Sequence, residues 1–159
     1  MNKSTWLIAC ATLLALAGCA STPAPKTIAD VAATTPELST LDGLIKQAGL
    51  TDTLKGTGPY TVFAPTNAAF KAVPAKTLES LGKDPEALKG VLLFHVVPGT
   101  VMAADVKPGN VKTAQGANIA VSKAGTMVTV EDAVVEKADI RASNGVVHEV
   151  DRVLMPPKK

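Results

Sequence analysis

Apolar side chains follow two different spacings along this chain, and the change between them falls near residue 100. Before that point they recur every three or four positions, as at Leu38, Leu41 and Ile45. After it, short runs rich in valine and isoleucine are separated by turns that contain glycine. The first spacing is typical of amphipathic helices and the second of strands, so the sequence predicts an α+β domain.

Local start and stop signals support the predicted helices. Thr27 and Asp30 have the spacing of a capping box. Thr35-Pro36-Glu37 and Asp84-Pro85-Glu86 each combine a polar cap, a first-turn proline and an acidic residue at the positive end of the helix dipole. Gly49 can supply the left-handed residue that ends a helix. These signals predict helices that begin after residues 27, 35 and 84.

Strands are predicted mainly in the second half of the chain. One strand, at 60–64, lies among the helices, and the others fall at 111–114, 118–122, 127–130, 134–136 and 146–154. Asn144-Gly145 favours a tight turn in which both central residues have positive φ, and it therefore predicts a hairpin. We expect helices that cover one part of an antiparallel sheet assembly.

The first 19 residues are organised like a bacterial lipoprotein leader. Lys3 precedes an apolar run at 7–17. As a helix that run would span about 17 Å, too little for a hydrocarbon core of ~30 Å. Leu16-Ala17-Gly18-Cys19 follows, and an ordinary secretory cleavage site has no need of the cysteine. We interpret residues 1–18 as a signal peptide and Cys19 as an acylated N-terminus, so that a lipid anchor makes the membrane a partner.

Removal of the signal peptide changes the composition that matters for partners. The chain has 16 Lys and Arg side chains against 14 Asp and Glu, and the leader contains one of the lysines. The mature chain is therefore close to neutral, and its sequence shows no basic cluster apart from the short tail at 157–159. Nucleic acid and a polybasic contact with a membrane surface are both disfavoured, because phosphates call for clustered Lys and Arg. Once Cys19 is acylated, no thiol remains for a disulfide, a metal site or a nucleophile.

The same leader and composition define the predicted organisation. Residues 19–26 form a spacer rich in Pro, Ala and Ser, residues 27–156 form one domain, and residues 157–159 form a basic tail. The residue after the cysteine is Ala20, where inner-membrane retention signals usually place aspartate. We therefore expect an exported chain on the outer membrane, facing the periplasm or the cell surface.

Two histidines are the candidates for chemistry. His95 shares a predicted helix face with Leu88 and Leu92, and His148 lies five residues after Ser143. For His95, a buried imidazole bonded to a carbonyl or a carboxylate is the more common role. No nucleophile elbow, phosphate loop, calcium loop or paired metal-ligand spacing accompanies them in the sequence. We predict no catalytic residue, no metal site and no cofactor; a periplasmic small-molecule binder or enzyme with a polar pocket near His95 or His148 is the alternative.

Three segments of the chain resemble the fasciclin domain family. Thr-Val-Phe-Ala-Pro-Thr-Asn-Ala-Ala-Phe at 61–70 is similar to the first family signature, and Asn-Gly-Val-Val-His-Glu-Val-Asp-Arg-Val-Leu at 144–154 is similar to the second. Leu-Leu-Phe-His-Val-Val-Pro-Gly at 92–99 resembles the central segment. The resemblance covers residues 27–156. It implies an α+β fold, a β-wedge or sandwich of two sheets flanked by several short helices, in proteins that act mainly in adhesion and extracellular binding.

The resemblance also implies candidate binding residues. In animal fasciclin domains, a tyrosine-histidine pair and an Asp-Ile dipeptide are implicated in integrin binding. The matching positions here are Phe94-His95 and Asp139-Ile140, with phenylalanine in place of the tyrosine. We expect a non-enzymatic, lipid-anchored binding or adhesion module of the cell envelope. Its partner would be an envelope protein or an extracellular matrix polymer, with Asp139, Ile140 and His95 as candidate contacts.

Overall fold

The computed structural model describes residues 26–156. The leader, Cys19, most of the spacer and the basic tail lie outside the described residues. The described helices are α1 (Ile28–Thr34), a 3₁₀ turn (Pro36–Leu38), α2 (Ser39–Gln47), α3 (Thr51–Lys55), α4 (Asn67–Ala72), α5 (Ala75–Lys83) and α6 (Pro85–Phe94). Within residues 26–156, no helix combines the length and the apolar character needed to cross a membrane.

The helix starts follow the predicted signals closely. Thr27 and Asp30 form a capping box, in which the Asp30 carboxylate accepts a hydrogen bond from the Thr27 backbone N–H at 3.0 Å. Asp84 Oδ1 accepts from the backbone N–H groups of Glu86 and Ala87, both at 3.1 Å. Thr35 is different: it makes no side-chain cap, and the 3₁₀ turn precedes α2. Local chemistry therefore fixes two of the three predicted starts through side-chain bonds.

The strands form one continuous mixed sheet. They are β1 (Tyr60–Pro65), β2 (Val96–Pro98), β3 (Gly109–Lys112), β4 (Asn118–Ala124), β5 (Met127–Val130), β6 (Ala133–Ala142) and β7 (Gly145–Val150). Their order is β2-β1-β7-β6-β5-β4-β3, with β1 and β7 parallel and every other pair antiparallel. The predicted α+β wedge is confirmed. Its two expected sheets are the halves of this one sheet, joined through the long strand β6.

Two hydrophobic clusters lie in the two halves. The first joins α1, α2, α3 and α6 to β1, and it includes Phe70. The second lies mainly against β4–β7 and also includes Phe63 of β1 and Phe94 of α6. Both phenylalanines are buried, and Thr66 caps α4 between them by accepting from the Ala69 N–H at 3.3 Å. The predicted strand-to-helix corner at residues 63–70 is therefore confirmed.

Strand β7 departs from the prediction of a partly covered strand. Residues 146–150 are all buried, including Glu149 at 2% exposure, because β7 lies between β1 and β6 with apolar clusters on both faces. Glu149 Oε2 lies 3.1 Å from the Nζ of Lys137, which raises the pKa of that lysine. The strand also ends at Val150, four residues before the predicted end.

The hairpin between β6 and β7 is confirmed, but its predicted turn geometry is wrong. Ala142 pairs with Gly145, so the loop residues are Ser143 and Asn144, and neither has positive φ. Gly145 has φ +156°, and a Cβ there would lie 1.8 Å from the Tyr60 carbonyl oxygen. Glycine is required at this position because the backbone of β1 approaches it closely.

The Asn144 side chain explains why this turn differs. Its Oδ1 accepts from the Ile28 N–H at 2.9 Å, and its Nδ2 donates to the carbonyls of Leu54 and Gly56 at 2.6 and 3.0 Å. Its backbone carbonyl accepts from the Tyr60 N–H at 3.0 Å. Asn144 thus joins α1, the end of α3 and the start of β1, and these long-range bonds set the turn conformation.

Candidate functional site

A bulge interrupts strand β6 where the candidate residues Asp139 and Ile140 lie. Lys137 pairs with Glu149 and Ile140 with Val147, so three steps on β6 face two steps on β7. The extra residue bends the strand. Asp139 takes φ +59°, a conformation that aspartate tolerates better than most residues. The bulge therefore turns Asp139 away from the regular alternation of the strand.

His148 on β7 holds the bulge in place. Its Nδ1 accepts from the Asp139 backbone N–H at 3.1 Å, and its Nε2 lies 2.7 Å from the Val101 carbonyl oxygen. These partners require a neutral ring with the proton on Nε2. The ring also stacks on Phe63, with centroids 5.5 Å apart. Burial lowers the pKa of His148, opposed by its hydrogen bond to Val101 and by the charge of Asp139.

The Asp139 carboxylate anchors the segment 99–106 to the bulge. Its Oδ1 accepts from the Ala103 N–H at 2.8 Å. Thr61 on β1 holds the same segment, because its Oγ1 accepts from the Val101 N–H at 2.8 Å and donates to the Gly99 carbonyl at 2.7 Å. Asp139 is half-buried, and its hydrogen bond to Ala103 uses one of its two carboxylate oxygens. The residue is thus held at its backbone and at its side chain.

Ile140 has a more structural position. It pairs with Val147 and packs, half-buried, against the first hydrophobic cluster. Part of its surface remains available beside Asp139. The structure therefore brings Asp139 and Ile140 together at the bulge, with the polar residue more suited to specific recognition.

His95 lies in the interior. It is 2% exposed, its Nδ1 lies 2.8 Å from the Val91 carbonyl, and its Nε2 accepts from the Leu154 N–H at 2.9 Å. This pairing requires a neutral ring with the proton on Nδ1. Burial lowers the pKa of His95 to about 4, although the hydrogen bond to Val91 opposes the shift. Of the three candidate binding residues, His95 is the one that the structure does not bring to the surface.

A small cavity borders His95 but lacks the features of a reaction site. Its volume is about 120 Å³, and its lining is predominantly Leu, Ile and Val side chains from α2, α3, α6 and β1. Both nitrogens of His95 are already bonded to backbone groups, so the ring has no free lone pair or proton for a substrate. Within residues 26–156, no group of three His, Cys, Asp or Glu side chains is placed to hold a metal ion.

Sequence reasoning missed Thr61 and the segment 99–106 as parts of this site. Thr61 lies in the first signature, where its neighbours Val62 and Phe63 suggest only a core strand. In the sequence, only the residue type pointed to the positive φ at Asp139, because aspartate adopts that conformation more often than most residues. These features depend on partners that are distant in sequence.

Comparison with known proteins identifies the family. A sequence profile of the fasciclin domain matches residues 36–156. The chain belongs to the fasciclin domain family. Protein sll1483 of Synechocystis sp. is 44% identical over 140 residues, which cover 87% of this chain and 78% of that protein. Cell surface glycolipoprotein MPB83 of Mycobacterium bovis is 37% identical over 147 residues, which cover 89% of this chain and 64% of that protein.

The fasciclin fold is also found among solved structures. The FAS1 domain pair of the insect cell adhesion molecule Fasciclin I matches with a TM-score of 0.66 and 17% identity, over 82% of this chain and 51% of that one. At this identity the match shows the fold. The fasciclin relatives include cell-surface and cell-adhesion proteins, as the names of MPB83 and Fasciclin I state.

Proposed function

We propose that this fasciclin domain is a non-enzymatic adhesion module of the cell envelope that recognises its partner at the β6 bulge. The observation that carries the proposal is the fixed Asp139. Its backbone is held by His148, one carboxylate oxygen is held by Ala103, and the other can accept from a partner. A pre-organised acceptor loses little conformational freedom on binding, which favours specific contacts. Ile140 adds adjacent apolar surface.

The partner we propose is an envelope protein or an extracellular matrix polymer. Support for adhesion comes from the names of the relatives, and support against catalysis comes from the buried state of His95 and the full bonding of both imidazoles. An enzyme would need polar groups that converge on a substrate pocket, whereas the cavity beside His95 is lined mainly by apolar side chains.

Attachment through lipid at Cys19 is the second part of the proposal, with the outer membrane as the expected location. The leader sequence supports it, and MPB83 is itself described as a glycolipoprotein. Acyl chains contribute ~0.8 kcal/mol per buried CH₂, so several chains hold a protein firmly. We expect the wild-type protein to pellet with membranes and Cys19→Ser to be soluble or unprocessed. Processed Cys19→Ser recovered in membranes would contradict the anchor.

Recognition can be tested by coating beads with the purified chain and measuring their adhesion to cells or matrix of the source organism. Asp139→Asn removes the charge but retains a carbonyl oxygen for Ala103 and a residue type that tolerates positive φ. We expect adhesion to fall by tenfold or more, in keeping with a contact worth ~2 kcal/mol.

Glu131→Gln is the matched control. Glu131 also has positive φ, at +53°, and its Oε1 accepts from the Ala120 N–H at 2.6 Å, so it repeats the local geometry at a different turn. Adhesion should survive in this variant. Equal adhesion of Asp139→Asn and wild type would contradict recognition at the β6 bulge. If wild-type beads do not adhere, the adhesion function itself is contradicted.

A further inference from the structure

Three basic residues that are distant in sequence, Lys26, Lys55 and Arg141, border the β6–β7 turn. The Lys26 carbonyl accepts from the Ser143 N–H at 2.8 Å, which places Lys26 beside the β6–β7 turn. Lys55 lies between Leu54 and Gly56, whose carbonyls both accept from Asn144. Arg141 lies three residues before Asn144 on β6. We call the surface formed by Lys26, Lys55, Arg141 and the adjoining cleft the entry face.

The cleft of the entry face is open and has both polar and apolar lining residues. It lies between residues 57–59, residues 100–102 and the β6–β7 turn, and its volume is about 560 Å³. Arg141 lines it together with Thr57, Thr100 and Ser143, which offer hydroxyl groups. A guanidinium beside hydroxyl donors suits a phosphate, because the planar fork can donate two parallel hydrogen bonds to an anion.

The charges of this face are only partly compensated. Lys26, Lys55 and Arg141 are exposed, and the described ion pairs within residues 26–156, Lys46–Asp42 and Lys137–Glu149, use none of them. Asp30 lies near both lysines; its pKa is lowered first by its hydrogen bonds to Thr27 and then by these two charges. Among the described residues that line the cleft, Arg141 is the charged one.

We propose that the entry face lies against the membrane and that its cleft takes the phosphate of a phospholipid headgroup. This inference rests on the lipid anchor proposed above. Lys26 is seven positions after Cys19 in the sequence, so even a fully extended chain allows a separation of at most ~25 Å between them. The entry face is therefore the part of the domain that a tether at Cys19 holds nearest the bilayer. Positive charge near anionic headgroups contributes ~1 kcal/mol per side chain.

The test uses a chain that begins at residue 20, so that neither the leader nor acyl groups contribute to membrane binding. The two hydrophobic clusters lie within residues 28–154, so this chain contains both of them. It is sedimented with vesicles of phosphatidylglycerol and phosphatidylcholine, or of phosphatidylcholine alone. We expect binding to the anionic vesicles that falls as salt is raised, and about fivefold weaker binding for each of Arg141→Gln and Lys55→Gln.

Lys89→Gln is the charge-matched control, because Lys89 is exposed on α6 and does not line the cleft. It should bind as wild type does, and all variants should keep the wild-type melting temperature. Absence of vesicle binding, or equal losses in all three variants, would overturn the proposal. Binding of inorganic phosphate without vesicle binding would assign the cleft to a free anion and also overturn the membrane contact.

The bead assay separates this inference from the adhesion proposal. Arg141→Gln should leave bead adhesion unchanged, since the beads supply their own attachment, whereas Asp139→Asn should reduce adhesion and leave vesicle binding nearly unchanged. Loss of bead adhesion in Arg141→Gln with vesicle binding unchanged would mean that the entry face serves the partner and not the membrane.

Discussion

The regions around His95 and His148 each contain a buried, neutral imidazole, and the two rings are opposite tautomers. Each holds a neutral imidazole between a backbone carbonyl and a backbone N–H, with the proton on Nδ1 in His95 and on Nε2 in His148. His95 joins the end of α6 to the chain at Leu154, deep in the protein. His148 joins the β6 bulge to the segment 99–106, part of which reaches the surface. The first region stabilises the fold, and the second sets the geometry of a surface.

This difference shows why a histidine motif alone does not identify a functional site. Both rings are 2% exposed, and both have a pKa below the ordinary value because of burial. What distinguishes them is the backbone that they hold. The neighbours of His148 include a strained, half-buried aspartate, whereas those of His95 are interior residues.

Removal of the ring beneath His148 should have the largest effect. Phe63 is 1% exposed and stacks on His148, so Phe63→Ala should cost roughly 3–5 kcal/mol in the free energy of unfolding. Urea titration measures the loss, and Met127→Ala, at a 54% exposed position, should cost less than about 0.5 kcal/mol. A loss below ~1 kcal/mol for Phe63→Ala would show that this region is packed loosely.

The stability of the fold should fall in acid, because the folded protein keeps His95 neutral. The unfolded chain takes up a proton near pH 6.5, whereas the folded chain resists protonation down to about pH 4. Stability is therefore full above pH 6.5 and falls between pH 6.5 and 4, by about 3 kcal/mol in total. The lowered pKa of His148 acts in the same direction. Urea titrations at several pH values measure the slope, which should be shallower in His95→Asn; an unchanged slope would contradict the assignment.

The effect of His148 should be more local. His148→Gln cannot keep both hydrogen bonds, so we expect a loss of about 1–2 kcal/mol and faster hydrogen exchange at the amides of Asp139 and Ala103. The amide of Leu154, which donates a hydrogen bond to His95, should exchange at the wild-type rate until global unfolding. Uniform acceleration across both regions would mean that the two histidines belong to one cooperative unit.

The smallest expected change is at Asp139 itself. Asp139→Asn should alter the unfolding free energy by less than about 0.5 kcal/mol, because the amide oxygen still accepts from Ala103. Asp139→Ala should cost about 1–2 kcal/mol, since it loses that bond and places alanine at positive φ. Thermal melts of the two variants provide the comparison. Equal losses would show that the charge, and not the hydrogen bond, stabilises the bulge.

The parts of this fold that were predictable depend on local chemistry. The caps at Thr27 and Asp84 use partners within three residues, and the corner from Phe63 to Phe70 combines a strand stop with a cap. The buried role of His95 follows from its position on an apolar helix face. In each case the decisive neighbours are near in sequence.

The parts that escaped prediction depend on distant partners. Alternation along 146–154 suggested a partly covered strand, but β7 is central and buried on both faces, so even Glu149 is enclosed. The turn at Asn144 differs from the predicted type because its side chain bonds to α1 and α3. At the candidate site, the bulge at Asp139 depends on Ala103 and His148, and the sequence contains no pattern that reveals such cross-strand geometry.

The bonds of Asn144 also bear on how the chain reaches this fold. The bond from Ile28 spans 116 residues and that to the Leu54 carbonyl spans 90, so the first helix gains these partners only after nearly the whole domain has been synthesised. Closing such long loops before other contacts form is entropically costly, which makes folding slow for a domain of this size. An emerging N-terminal half would lack β7, the neighbour that β1 pairs with in parallel. The sheet can therefore close around β1 only once the C-terminal strand is present.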